Sequence, residues 1–207
     1  MTKHMETTIR TYDQCAGAYA DKFMDYPAYQ EMMVRFRDRY VTDGDAVLDI
    51  GCGPGNNAVL LSEKKVRLTG IDLSPEMVKR AQAHVPQGDF QVGDIRALPE
   101  IGPFHAVIAS FCIVHITSAE ARKVIDKVAS LLAPGGALYL SFMVGKQDGY
   151  ETACFSDGGE IHFIYHDPDQ VKDWLAENHL SIVETHQSDY PEPDGSLTTD
   201  IFLFVRK

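Results

Sequence analysis

The stretch Val47-Leu48-Asp49-Ile50-Gly51-Cys52-Gly53-Pro54-Gly55-Asn56-Asn57 constrains the fold more than any other part of the chain. The apolar run Ala46–Ile50 has strand character and stops at Gly51. Three glycines within five positions then let the backbone turn sharply and approach a ligand closely. A helix is expected next, from about Gly55 to Lys64, and its first N–H groups have no intrahelical partners. Strand, glycine-rich turn and helix in this order open a doubly wound α/β sheet, and on their own they suit a dinucleotide fold as well. The spacing, however, is G-x-G-x-G. The pyrophosphate-binding fingerprint needs a glycine at position 56, which is Asn56.

The alternation continues downstream. Arg67–Asp72 reads as a second strand, and Ser74-Pro75 as the N-cap and first turn of a helix toward His84. Asp89–Gly93 is a third strand. The unbroken apolar run inside Phe104–Ser110 suits a fourth, parallel strand covered on both faces. Thr117 and Glu120 have capping-box spacing, and Val124, Val128, Leu131 and Leu132 share one face of the helix behind them. Pro134-Gly135-Gly136 ends that helix, and Ala137–Phe142 is a fifth strand. Asp167-Pro168 caps a helix containing Val171, Trp174 and Leu175, before strands at Ser181–His186 and Asp200–Val205 separated by the turn-rich Tyr190–Ser196. Five strands linked by helical crossovers predict a Rossmann-like, doubly wound, seven-stranded and mostly parallel sheet. The helix-free final connection predicts an antiparallel last strand. Residues 1–45 form an N-terminal helical cover and 46–207 the core, with an insertion at 145–166, all in a single domain over 1–207.

Asp49-Ile50-Gly51-Cys52-Gly53-Pro54-Gly55 resembles the first motif of class I S-adenosylmethionine-dependent methyltransferases of the small-molecule type. The likeness runs along almost the whole chain, through Gly70-Ile71-Asp72-Leu73-Ser74-Pro75-Glu76-Met77, Gly93-Asp94-Ile95, Phe104–Ser110 and Leu131–Gly136. The N-terminal Tyr12-Asp13-x-x-Ala16-x-x-Tyr19 is similar to the helical cover of small-molecule members. The resemblance implies S-adenosyl-L-methionine as cofactor and gives Asp72 the ribose hydroxyls and Asp94 the adenine amino group, with Ile95 beside the ring. It implies that Asp49 either holds the glycine-rich loop or reaches the methionine amino group. Gly51, Cys52, Gly53 and Gly55 of the turn, Leu73, Met77 and Ser110 belong to the implied cofactor site; Cys52 is given no chemistry. Asn56 contacts the ligand or merely caps the helix. Tyr12 and Tyr19 close over the cofactor or, as aromatics on one helical face, belong to the core.

The function this implies is methyl transfer to a small-molecule acceptor by in-line displacement, in which alignment supplies most of the catalysis. His115, just after the fourth strand, is the candidate base; its other reading is a structural histidine bonding a backbone carbonyl. The acceptor pocket is expected between the N-terminal helices, the Phe111–His115 loop and the insertion, which carries Tyr150, Phe155, His162, Phe163 and Tyr165. The alternatives are an NAD(P)-dependent oxidoreductase and a non-catalytic S-adenosylmethionine-binding module. A net charge of −11 disfavours nucleic acid and anionic membrane as partners. His162 and His166 have no third ligand at metal-binding spacing, so no metal is expected. Single scattered cysteines and a polar N-terminus point to a reduced, cytoplasmic protein, a monomer or homodimer.

Overall fold

A computed structural model describes residues 2–192, 195 and 197–207; within the stretch Tyr190–Ser196, Pro193, Asp194 and Ser196 lie outside the described residues. Strand β1 (Ala46–Ile50) pairs in parallel with β2 (Arg67–Asp72) on one side and β4 (Phe104–Ser110) on the other. With β3 (Asp89–Val92), β5 (Leu132–Val144), β8 (Ser181–Pro191) and β9 (Leu197–Arg206), they form a seven-stranded sheet in the order β3-β2-β1-β4-β5-β9-β8. β9 runs antiparallel to both neighbours, as the helix-free connection requires.

Burial on both faces explains the apolar runs. Along β4, Val107 and Ala109 join one core cluster and Ala106 and Ile108 the other, the period-2 alternation of a strand covered above and below. One face is covered by α5 (Ser118–Leu131) and α6 (Pro168–Glu177), through Val124, Val128, Val171, Trp174 and Leu175. The other is covered by α2 (Pro27–Tyr40), α3 (Asn56–Leu61) and α4 (Pro75–His84), through Met33, Phe36, Leu61 and Ala81. Each fully buried side chain of this size contributes roughly 1.5–3 kcal/mol. The expected caps are present. Ser74 Oγ accepts from Met77 N at 3.2 Å, Asp167 accepts from Asp169 N, and Thr117 and Glu120 complete a reciprocal capping box.

Several elements differ from expectation. The α3 helix ends at Leu61, the last residue that buries an apolar side chain, because Ser62-Glu63-Lys64-Lys65 turns toward solvent. The β3–β4 connection holds only a 3-10 turn, Ile95–Ala97, since Pro99, Gly102 and Pro103 leave no room for a longer helix. The chain passes straight from α5 into β5 at Leu132, because Ala133 precedes Pro134 and is biased to extended backbone. β8 and β9 are longer than their apolar cores. The insertion contains a hairpin of β6 (Gly149–Thr152) and β7 (Glu160–Phe163) that sits against α1 (Lys3–Phe23). No helix among the described residues is long and apolar enough to cross a membrane.

Candidate functional site

The carboxyl ends of β1, β2, β4 and β5 open into one cavity of about 1390 Å³, part of it continuous with solvent. The glycine-rich turn forms its floor. Gly51 has φ +67°, and a Cβ there would lie 2.5 Å from Cys112 Cβ, so only glycine lets the turn pass under the end of β4. Asp72 at the end of β2 fixes this turn from the side: Oδ2 accepts from Gly53 N at 2.9 Å and Oδ1 from Ser74 N at 2.8 Å. Each oxygen keeps a lone pair for a further donor. Burial pushes the Asp72 carboxyl above its ordinary range, against the pull of those backbone N–H bonds.

Asp49, one residue before the end of β1, is wholly buried, and neither of its oxygens has a hydrogen-bond partner among the described residues. It therefore does not hold the loop; Asp72 does. Burial first, and then the nearby charge of Asp72, push its carboxyl well up. Buried polar atoms are nearly always paired, so an orphaned carboxylate behind a ligand-sized cavity points to a cationic or donor group of a ligand. Asp94 follows β3 and is clasped by Arg96, Nε to Oδ1 at 2.9 Å and Nη2 to Oδ2 at 2.6 Å, while Arg96 also reaches Glu120. The guanidinium holds the Asp94 carboxyl below the usual range, keeping it an acceptor aimed at the cavity.

Of the residues singled out in the sequence, Tyr12, Tyr19, Gly51, Gly53, Asp72, Leu73, Met77, Asp94, Ile95, Ser110 and His115 line this cavity. Asp49 lies behind it. Cys52 faces the core, Gly55 is the left-handed N-cap of α3 packed on Ala81, and Asn56 opens that helix; none of these three borders the cavity.

The other half of the cavity is a chamber between α1, the hairpin and the Phe111–Ile116 segment. Phe111 holds a left-handed backbone, φ +50°, fixed by its N–H donating to Ser141 Oγ at 3.0 Å; its ring packs on Tyr29 and Phe202. Such strain in a non-glycine residue collects at functional sites. Tyr12 Oη lies 3.1 Å from His115 Nε2, and His115 Nδ1 lies 3.3 Å from the His162 carbonyl oxygen. Burial lowers His115 to about 4. Phe155, Phe163 and Tyr165 of the insertion line the chamber as expected, whereas Tyr150 is exposed and bonds His4, and His162 contributes its backbone carbonyl. His166 bonds the Ile113 carbonyl at 2.9 Å and Ser118 Oγ at 3.4 Å, which makes it a tether between segments.

Sequence reasoning missed the acidic end of this chamber. Glu151 and Glu192 line it with Lys146 between them, at 3.0 and 3.1 Å, and Tyr165 Oη donates to Glu151 at 2.5 Å. Behind Tyr29, which also lines the cavity, Asp200 accepts that tyrosine's hydroxyl at 2.9 Å, and its Oδ1 has no partner among the described residues. Burial, with the charges of Glu192 and Asp189, pushes Asp200 to about 7. The one available signal was Glu151, a half-buried carboxylate in the short strand β6.

A family model described as a methyltransferase domain matches residues 47–136. A ubiquinone biosynthesis O-methyltransferase of Xylella fastidiosa is 34% identical over 149 residues, 69% of this chain and 60% of that protein. An arsenite methyltransferase of Halobacterium salinarum is 30% identical over 141 residues, 64% of this chain and 33% of that protein. The chain thus spans less than two thirds of these relatives. Among solved structures, the N-methyltransferase NodS of Bradyrhizobium japonicum with S-adenosyl-l-homocysteine shares the fold at a TM-score of 0.73 and 19% identity, covering 97% of this chain and 98% of that one.

Proposed function

We propose that the chain is a class I S-adenosylmethionine-dependent methyltransferase that transfers the methyl group of S-adenosylmethionine to a small-molecule acceptor, a reading supported by the methyltransferase-domain match over residues 47–136 and by the fold shared with NodS. The observation that carries this reading is the set of three carboxylates at successive strand ends, one of them buried without a partner, beside an aromatic chamber. The donor set fits the cofactor. Asp49 would take the ammonium, Asp72 the vicinal diol and Asp94 the adenine amine, with Leu73, Met77 and Ile95 supplying apolar contact. When bound, the cofactor supplies a methyl group already activated on a sulfonium sulfur.

The chain's own residues bind, orient and exclude water. Asp72 holds the glycine-rich turn in the shape that leaves Gly51 and Gly53 on the cavity surface. Tyr12 and Tyr19, on one face of α1, close over the cavity, and His115 is the nitrogen base on which the acceptor's proton ends. Alignment of an acceptor in such a site reaches effective molarities of about 10⁵–10⁸ M.

Thermal unfolding with S-adenosylmethionine, S-adenosylhomocysteine, NAD and NADP tests the reading. Either adenosyl-sulfur ligand at a hundred times its Kd is expected to add roughly 2.7 kcal/mol of stability. Stabilisation by NAD or NADP, and by neither of the others, would favour an oxidoreductase instead.

A further inference from the structure

We propose that Tyr12 takes the proton from the acceptor, with His115 as the sink behind it, and that the acceptor is an aromatic hydroxyl. This rests on the methyltransferase reading. The geometry dictates the direction of proton flow. The His162 carbonyl can only accept, so the contact at 3.3 Å places the ring proton on Nδ1 of His115. In the neutral ring Nε2 then carries the lone pair, and Tyr12 Oη, 3.1 Å away, donates to it. No other hydrogen bond engages Tyr12 Oη among the described residues, so its own lone pairs remain for a donor in the cavity. The tyrosine is held in place by Phe155, stacked at 5.7 Å, and Tyr19, edge-on at 5.6 Å; the imidazole packs on Phe163 at 5.3 Å. The titratable groups facing the pair are Tyr19 from α1, Asp72 from β2, His162 from β7 and Cys154 from the hairpin turn.

The chemistry of the product selects the acceptor class. A methylated neutral amine forms an ammonium or anilinium ion, a far weaker acid than a protonated ether, which can release its proton to water after the transfer and needs no base in the step. A methylated hydroxyl is a protonated ether, a strong acid, which must lose its proton as the C–O bond forms. In the step proposed, the acceptor oxygen gains the methyl carbon as the carbon–sulfur bond breaks, and the cofactor leaves as a neutral thioether. The hydroxyl proton passes to Tyr12 Oη while Tyr12 passes its own to His115 Nε2, leaving an imidazolium that later releases the proton to solvent. A tyrosine–histidine relay in a dry wall has a use in that reaction. Phe155, Phe163, Tyr165 and Phe111 line the chamber and offer ring faces to an aromatic acceptor.

The test uses the full chain and compares catechol with its diamino isostere, 1,2-diaminobenzene, as probes. Formation of S-adenosylhomocysteine is followed in the wild type, Tyr12→Phe and His115→Gln. Catechol is expected to turn over through the relay, whereas any slower turnover of the diamine, which needs no base, should be insensitive to both substitutions. Both substitutions should lower kcat for catechol by about 10²–10⁴, with Kd for S-adenosylhomocysteine within about twofold. The wild-type kcat should fall only as pH drops toward about 4, where His115 takes a proton. Independently of turnover, ¹⁵N NMR of the ligand-free protein should show His115 with the proton on Nδ1, and Tyr12→Phe, which keeps the ring, should shift the Nε2 resonance. Faster turnover of the diamine, full kcat in Tyr12→Phe, or a proton on Nε2 would overturn the proposal. So would no turnover of catechol while S-adenosylhomocysteine still binds. Failure to bind S-adenosylhomocysteine would overturn the methyltransferase reading itself.

Discussion

Two buried carboxyls, Asp49 and Asp200, lie at or behind the cavity wall with oxygens that have no partner among the described residues, and one bears on the ligand while the other bears on the fold. Asp49 has no protein partner to lose, so Asp49→Asn is expected to leave the urea midpoint unchanged or raise it. Its affinity for S-adenosylhomocysteine should fall about 10–150-fold, the value of one hydrogen bond to a charged group, roughly 1.5–3 kcal/mol. Calorimetric titration beside urea unfolding checks this; an affinity within twofold of wild type would remove Asp49 from the ligand site. Asp200 acts on the fold. Its native pKa, about 7, stands above the ordinary 3.8, so the native state holds a proton that the unfolded state has released. Stability from this group is present at low pH and is lost as pH rises from about 4 to about 7, by roughly 2–4 kcal/mol in all. Asp200→Asn, which keeps an acceptor for Tyr29, should gain by that amount relative to wild type between pH 4 and pH 8. An equal gap at both pH values would show that the carboxyl is not held protonated. His115 works in the other sense: its native value, about 4, lies below 6.5, so its contribution is present above that and fades as pH falls through this window.

Helix α1 is tied down at both ends of the cavity. Asp13 accepts from Ser74 Oγ at 2.5 Å and from Glu76 N at 3.3 Å, joining the cover to the N-terminus of α4 beside Asp72. Thr11 donates to the Glu160 carbonyl at 2.8 Å, and His162 N donates to Thr8 at 3.1 Å, joining it to the hairpin. Removing the first tie in Asp13→Ala should cost about 1–2 kcal/mol of closure, hence a 5–30-fold weaker S-adenosylhomocysteine complex and faster amide exchange across α1. Unchanged exchange there would mean that packing alone holds the cover. Asp13 was visible in the sequence as part of Tyr12-Asp13-x-x-Ala16-x-x-Tyr19, but its partner was not, because Ser74 lies 61 residues away. Elements with local signals were readable in the same way: Ser74-Pro75, Thr117 with Glu120 and Asp167-Pro168 each mark a helix start by short-range bonding. The β6–β7 hairpin carries no long apolar run, since it is held by α1 rather than by the sheet, and its strands escaped periodicity.

Across the whole molecule, the half of the site built from strand ends could be read, because each of those residues sits at a fixed distance from an apolar run. The acceptor half draws on α1, the segment after β4, the hairpin and the end of β8, and its acidic character arises only when Glu151 and Glu192 meet around one Lys146. That local excess has the same sign as the net charge of −11. Both fields repel an anionic acceptor and attract a cationic one, and with low-dielectric aromatic walls the field is focused into the chamber. Among aromatic hydroxyl probes of similar size, the ammonium-bearing dopamine should therefore exceed the carboxylate-bearing 3,4-dihydroxybenzoate in kcat/KM. The long-range part of that preference is screened by salt, since the Debye length shrinks from about 30 Å at 0.01 M to about 3 Å at 1 M. The part due to Glu151 and Glu192 in direct contact survives. Measured from 0.01 to 1 M NaCl, the ratio of the two should fall severalfold and level off above one in the wild type. In Glu192→Gln, where Lys146 balances the remaining carboxylate, it should level off near one. A ratio below one at low salt would mean that the acceptor's charged end does not face this acidic wall.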